Sequence, residues 1–125
     1  MDLLLDTHVV IWWLSADERL LPDVKQRLDD DPGVWVSAVT MWEVGIKQSV
    51  GKLTLPRPLP EAIAQNSFRR LPITFDHAIA AAHLPLLHRD PFDRMLIAQA
   101  RVEGLTLVTA DPRCRAYDVP VLPPR

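Results

Sequence analysis

Leu3-Leu4-Leu5 is apolar at every position and closes on Asp6, a pattern that predicts a short strand buried on both faces, as in a parallel sheet. Thr7 to Leu14, with Val9, Val10, Ile11, Trp12 and Trp13, predicts a helix entered directly from that strand and capped by Asp6. Pro22 to Leu28 predicts a second helix with proline at its first position, and Asp29-Asp30-Asp31-Pro32-Gly33 predicts a solvated loop. The β-branched and aromatic run Val34-Trp35-Val36-Ser37 predicts the second strand. Thr40 then suits the N-cap of a helix reaching about Val50, with Glu43 in its first turn and Gly51 as its C-cap.

Pro56, Pro58 and Pro60 force a loop before a helix near Glu61 to Phe68, and Leu71-Pro72-Ile73 is a strand candidate. Asp76 to Leu84, rich in alanine with apolar residues at helical spacing, predicts a buried helix limited by Pro85. Asp90-Pro91-Phe92-Asp93 supplies a cap, a proline at the first helical position and an acid three residues after the cap, so a helix should run from there through Val102 and stop at Gly104. Leu105 to Val108 predicts a strand ending at Thr109-Ala110-Asp111, and Val119 to Leu122 a last edge strand. Strands alternating with helices predict an α/β chain. The expected fold is a three-layer α/β/α domain over residues 1–125 with a central parallel sheet, whose ligands belong at the C-terminal strand ends.

Composition narrows the function. With 48% hydrophobic and 24% charged residues the chain is ordinary for a globular protein, and no apolar run approaches the ~18 residues of a membrane span. The first residues lack the basic region and cleavage site of a signal peptide, and Cys114 has no partner cysteine, which predicts a reducing cytoplasm. A formal net charge of -2 excludes coating of nucleic acid by a general excess of lysine and arginine, so any nucleic-acid site must be local.

The acids supply candidate chemistry. Asp6 and Asp111 each follow an apolar strand, while Glu43 and Asp93 lie near helix starts at topologically equivalent ends. Two carboxylates ~4 Å apart repel by about 4 kcal/mol at an effective dielectric near 20, so such a cluster needs shared protons or a cation. Mg²⁺ or Mn²⁺ suits oxygen ligands and hydrolysis of a phosphodiester by activated water. Each acid also has a plainer reading: Asp6 and Asp90 as N-caps, Asp93 as a complement to the helix dipole, Glu43 as the partner of Lys47 four residues on.

Taken in order, Leu3-Leu4-Leu5-Asp6-Thr7-His8, Trp42-Glu43-Val44, Asp90-Pro91-Phe92-Asp93-Arg94-Met95-Leu96-Ile97-Ala98-Gln99-Ala100 and Leu107-Val108-Thr109-Ala110-Asp111 resemble the PIN-domain family across essentially the whole chain. The likeness is to VapC-type toxin ribonucleases of bacterial toxin-antitoxin systems. That resemblance implies a metal-dependent endoribonuclease acting on structured RNA such as tRNA, with Asp6, Glu43, Asp93 and Asp111 both catalytic and metal-binding and Asp90 a lesser addition. It also implies a homodimer and a cognate VapB-type antitoxin that blocks the groove with a basic side chain, for which Trp12 and Trp13 are candidate contacts. Thr109 could bond an acid or a metal-bound water. Lys47, Arg89 and Arg94, near the acid-bearing helices, are candidates for RNA phosphates. His8, His77, His83 and His88 match no tetrahedral zinc pattern, although His8 follows Asp6 closely enough to lie near the site. Two readings compete. A catalytically silent PIN-like binding domain would not require the four acids, and a haloacid-dehalogenase-type phosphatase would need an acid where His8 stands.

Overall fold

The computed structural model describes residues 2–124. Its strands are β1 (Leu3–Leu5), β2 (Val34–Ser37), β3 (Arg69–Leu71), β4 (Thr106–Val108) and β5 (Val121–Leu122), paired in parallel in the order β3-β2-β1-β4-β5. Its helices are α1 (Thr7–Leu14), α2 (Pro22–Asp30), α3 (Ala38–Ser49), α4 (Leu59–Gln65), α5 (Phe75–His83) and α6 (Pro91–Glu103), with a 3₁₀ turn at Pro112–Ala116.

The three leucines of β1 explain the layering. Leu3 and Leu5 enter one core with Val9, Val10, Leu28, Val34, Val36 and Phe68, while Leu4 points the opposite way into a second core with Leu71, Leu96, Ile97 and Leu107. A strand flanked by strands and covered on both faces has no polar face, hence its uninterrupted apolar run. This is the predicted α/β/α arrangement. β1 pairs with β2 on one side and β4 on the other, so the chain reverses its direction of travel across the sheet between β1 and β4. In open parallel sheets the crevice for a ligand lies at such a switch point, beyond the C-terminal strand ends. No helix among the described residues is long and apolar enough to cross a membrane.

Several boundaries differ from the sequence expectations. The cap of α3 is Ser37, whose hydroxyl accepts the Val39 N–H at 3.0 Å, and not Thr40, which is buried with its hydroxyl 3.0 Å from that of Thr7. Glu43 therefore falls in the second turn of α3. Its C-cap is Val50, with Gly51 following at φ 74°. Helix α2 continues through Asp30, and the aspartates beyond Leu28 are not simply solvated. Asp29 accepts the Trp13 indole N–H at 2.8 Å, and Asp31 accepts the Gly33 N–H at 2.7 Å. The third strand lies two residues before its expected place, ending at Leu71 ahead of Pro72, which has no N–H to donate. Helix α5 is not a buried helix: of its residues only His77 is buried, while Phe75 and Ile79 are exposed. Of its apolar residues only Ala80 and Ala81 lie against the second core, and the remaining ones face outward.

The end of α6 is as expected. Gly104 adopts φ 69° and ψ 36°, the left-handed conformation that closes a helix, and an added Cβ would meet nothing within 4 Å. Backbone strain is then the whole penalty of a side chain here, and Gly104→Ala should lower unfolding free energy by about 1 kcal/mol, read from urea denaturation. An unchanged midpoint would show that the turn can relax.

Candidate metal centre

Asp6 stands one residue beyond β1 and is 5% exposed. A buried carboxylate needs donors, and it has two: its Oδ1 accepts the His8 N–H at 3.3 Å and its Oδ2 accepts the Thr109 hydroxyl at 2.6 Å. Thr109 follows β4 and its hydroxyl oxygen also accepts the Asp111 N–H at 3.1 Å, so one buried threonine joins the ends of the two strands at the switch point. Glu43 is 4% exposed. Its Oε2 is 2.8 Å from the Lys47 ammonium, the expected i,i+4 pair, but its Oε1 is buried with no partner.

Asp93 lies in the first turn of α6, whose cap Asp90 accepts the N–H groups of Phe92 and Asp93 at 2.8 and 3.1 Å. Burial, followed by the negative charges of Asp6 and Asp90, pushes the Asp93 carboxyl up to about 7; Glu43 adds to the rise and His88 opposes it. Asp111 behaves oppositely. Burial would raise it, but hydrogen bonds from the Arg113 side chain and backbone and from His88 outweigh burial and hold it below the usual carboxylate range. Arg113 grips Asp111 at 3.1 Å through both Nε and Nη2. The neighbouring Cys114 is buried, and burial together with the charges of Asp111, Asp6 and Asp93 pushes its thiol up to about 12. It is not a nucleophile at neutral pH.

Two strand ends, the first turn of α6 and the second turn of α3 thus bring Asp6, Asp111, Asp93 and Glu43 to one crevice, with Asp90 behind them as a cap and Thr109 between them. His8 lies at its mouth, Nδ1 3.8 Å from Asp6, which raises its pKa by hydrogen bonding against the opposing effect of burial. The basic residues are placed less uniformly. Lys47 is paired with Glu43 and Arg89 is exposed, but Arg94 turns away from the crevice and donates to four backbone carbonyls. Trp12 and Trp13 are buried in the core, which removes them as docking contacts. The exposed tryptophan is Trp42, 62% accessible and packed edge-on against Phe92.

His88, visible in sequence only as one of four unpatterned histidines, is buried at the centre, with Nε2 3.0 Å from both Asp93 and Asp111. Arg113 is the other addition. A signal existed for each: His88 sits two residues before the Asp90 cap, and Arg113 two residues after Asp111.

A hard divalent cation fits these residues. The donors are carboxylates, oxygens of Asp93 and Asp111 lie within 4.8 Å of each other, and the buried Glu43 Oε1 is an acceptor without a donor.

An α/β/α sheet with acids at its switch point is a hydrolase-like architecture, and this chain belongs to the PIN-domain family, whose model, described as PIN domain, matches residues 3–120. The chain is 31% identical over 120 residues to Ribonuclease VapC22 of Mycobacterium tuberculosis (strain ATCC 25618 / H37Rv), covering 94% of this chain and 92% of that one. Among solved structures it is similar to FitAcB from Neisseria gonorrhoeae, with a TM-score of 0.68 and 25% identity over 98% of this chain and 97% of that one. It also shares its fold with VapBC2 from Rickettsia felis, a structure bound to a DNA fragment from their promoter, at a TM-score of 0.69 and 13% identity over 98% of both chains.

The raised Asp93 fixes a pH dependence. The folded state binds a proton between pH 3.8 and about 7 that the unfolded state has released, so metal-free stability falls as pH rises through that window. Urea unfolding of chelator-treated protein at pH 5 and pH 8 should show a loss on the order of 2 kcal/mol attributable to Asp93. In Asp93→Asn that part of the loss disappears and the variant is the more stable at pH 8. Parallel profiles for the two proteins would contradict the raised Asp93 pKa and its origin in burial and neighbouring charge.

Proposed function

We propose that the chain is a metal-dependent endoribonuclease, the toxin of a type II toxin-antitoxin pair, hydrolysing phosphodiester bonds in structured RNA such as tRNA. The observation that carries this reading is the meeting of Asp6, Glu43, Asp93 and Asp111 at the switch point, with one buried Glu43 oxygen unpartnered. Its support is the identity with a ribonuclease over nearly the full length of both chains.

These four acids would hold Mg²⁺ or Mn²⁺, which when bound supplies Lewis-acid polarisation of a phosphoryl oxygen and a water that loses its proton more readily. The chain's own residues orient and exclude. Thr109 keeps Asp6 turned into the crevice, Lys47 keeps Glu43 in place, and Asp90 fixes the first turn of α6 from which Asp93 projects. Arg89, exposed beside that helix, is the candidate for an RNA phosphate. Lys47 reaches one only by leaving Glu43, and Arg94 is a structural residue.

The relatives FitAcB and VapBC2 support a VapB-type antitoxin as partner, and the same reading makes the chain a cytoplasmic homodimer. With Trp12 and Trp13 buried, the surface for the antitoxin's apolar anchors is a groove of about 430 Å³ lined by Val36, Met41, Ile63, Leu71 and Pro72. It opens at the C-terminal ends of β2 and β3, the same sheet edge as the acids. A basic side chain of the antitoxin would there replace the ion's charge.

Two expected outcomes follow from this reading. RNA cleavage should require added Mg²⁺ or Mn²⁺ and fall by at least about 100-fold in Asp6→Asn, with the variant still folded by circular dichroism. Metal-independent cleavage, or full activity in the variant, would end the catalytic assignment. In cells, the chain alone should arrest growth, the adjacent antitoxin gene should restore it, and Met41→Asp in the groove should weaken the rescue while leaving toxicity intact. Equal harmlessness of the wild-type chain and Asp93→Asn at matched expression would count against a toxin.

A further inference from the structure

The loop from Leu84 to Asp90 is pinned from two directions. Arg94, in the first turn of α6, sends its guanidinium back to the carbonyl oxygens of Ala81, Leu84, Pro85 and His88 at 3.0, 3.1, 3.1 and 3.2 Å. From the segment after the 3₁₀ turn, the Tyr117 hydroxyl donates to the Pro85 carbonyl at 2.7 Å and accepts the N–H groups of Leu87 and His88 at 3.2 and 2.9 Å. Such a clamp leaves the backbone of His88 little freedom, and its ring is 2% exposed.

The ring has two distinct faces toward its neighbours. Nδ1 accepts the Asp90 N–H at 3.2 Å, and a ring nitrogen that accepts carries no proton. The ring proton is therefore on Nε2, which donates to Asp111 Oδ2 at 3.0 Å; Asp93 Oδ2 lies 3.0 Å from the same nitrogen without being in line for that hydrogen bond. Ligation of a cation through Nε2 would instead require the proton on Nδ1, where it would face the Asp90 N–H, donor against donor. A donor to Asp111 and a metal ligand are thus alternatives, and the Asp90 contact selects the donor.

We propose that His88 is a positioning residue whose Nε2–H, donated to Asp111 with Asp93 3.0 Å from the same nitrogen, keeps the acid after β4 turned toward the acid of α6. Arg113 holds the same Asp111 oxygen from the exposed side, and the His88 proton opposes that pull. The clamp matters because a donor on a loose loop would swing away with Asp111. This role rests on reading the crevice as a metal centre, and it predicts that His88 acts on cation affinity without touching the cation. Loss of a group that orients metal ligands typically lowers affinity about 10–100-fold.

The experiment separates the donor from mere packing. A glutamine amide reaches the Nε2 position and restores a donor to Asp111, whereas an asparagine amide reaches only the Nδ1 position. Calorimetric titration of Mn²⁺ into the chelator-stripped full chain should show His88→Gln close to wild type and His88→Asn weaker by about 10–100-fold. Equal affinities in the two variants would overturn the proposal. Independently, ¹H–¹⁵N spectra of the metal-free wild type should place the ring proton on Nε2 and show Hε2 displaced in Asp111→Asn; a proton on Nδ1, or an Hε2 indifferent to Asp111, would overturn it equally. If the wild type bound no Mn²⁺, the metal reading would fail, and these spectra would still decide whether His88 donates to Asp111.

Discussion

The hydrogen bond from the Thr109 hydroxyl to Asp6, 2.6 Å long, joins residues 103 positions apart and closes the gap between β1 and β4. Because Thr109 also receives the Asp111 N–H, a single side chain sets where two of the four acids begin. Without that donor Asp6 would keep only the longer bond from His8, and a carboxylate buried this far would turn toward water. The remaining placements follow from the register of the sheet: with Leu5 opposite Val108, the chain leaves both strands at the same level and the crevice opens between them.

Repulsion among the acids is distributed unevenly. Asp111 has Arg113 and His88 and stays below its ordinary range, whereas Asp93, buried and facing Asp6, Asp90 and Glu43, rises to about 7. Several cations near the crevice are already engaged: Lys47 on Glu43, Arg113 on Asp111, Arg94 on carbonyl oxygens. That arrangement accords with a chain of net charge -2, in which positive side chains hold the protein's own acids and loops in place.

Much of this was legible in the residues. Leu3-Leu4-Leu5 reports a strand buried on both faces, and Asp90-Pro91 together with Gly104 brackets α6, because those signals are local and chemical. The four acids could be assigned to one sheet edge from topology alone. Other features required three dimensions. Thr40 looks like a cap, yet Ser37 sits where the strand ends and takes that role. The burial of Trp12 and Trp13 depends on α1 lying against the sheet, and the exposure of α5 depends on nothing covering Phe75 and Ile79. His88 was hidden because its role comes from a clamp built by Arg94 and Tyr117, residues that in sequence look like a surface cation and an ordinary aromatic.

The span of the Thr109–Asp6 bond also bears on when the molecule becomes competent. Asp6 is made well before Thr109, 103 residues further along, and β1 has only β2 to pair with until β4 has emerged. Closing so long a loop is entropically slow and comes late in assembly. A chain not yet extended to β4 can bury Leu3 and Leu5 against α1 and β2, but it has no completed crevice until Thr109 and Asp111 are available to fold.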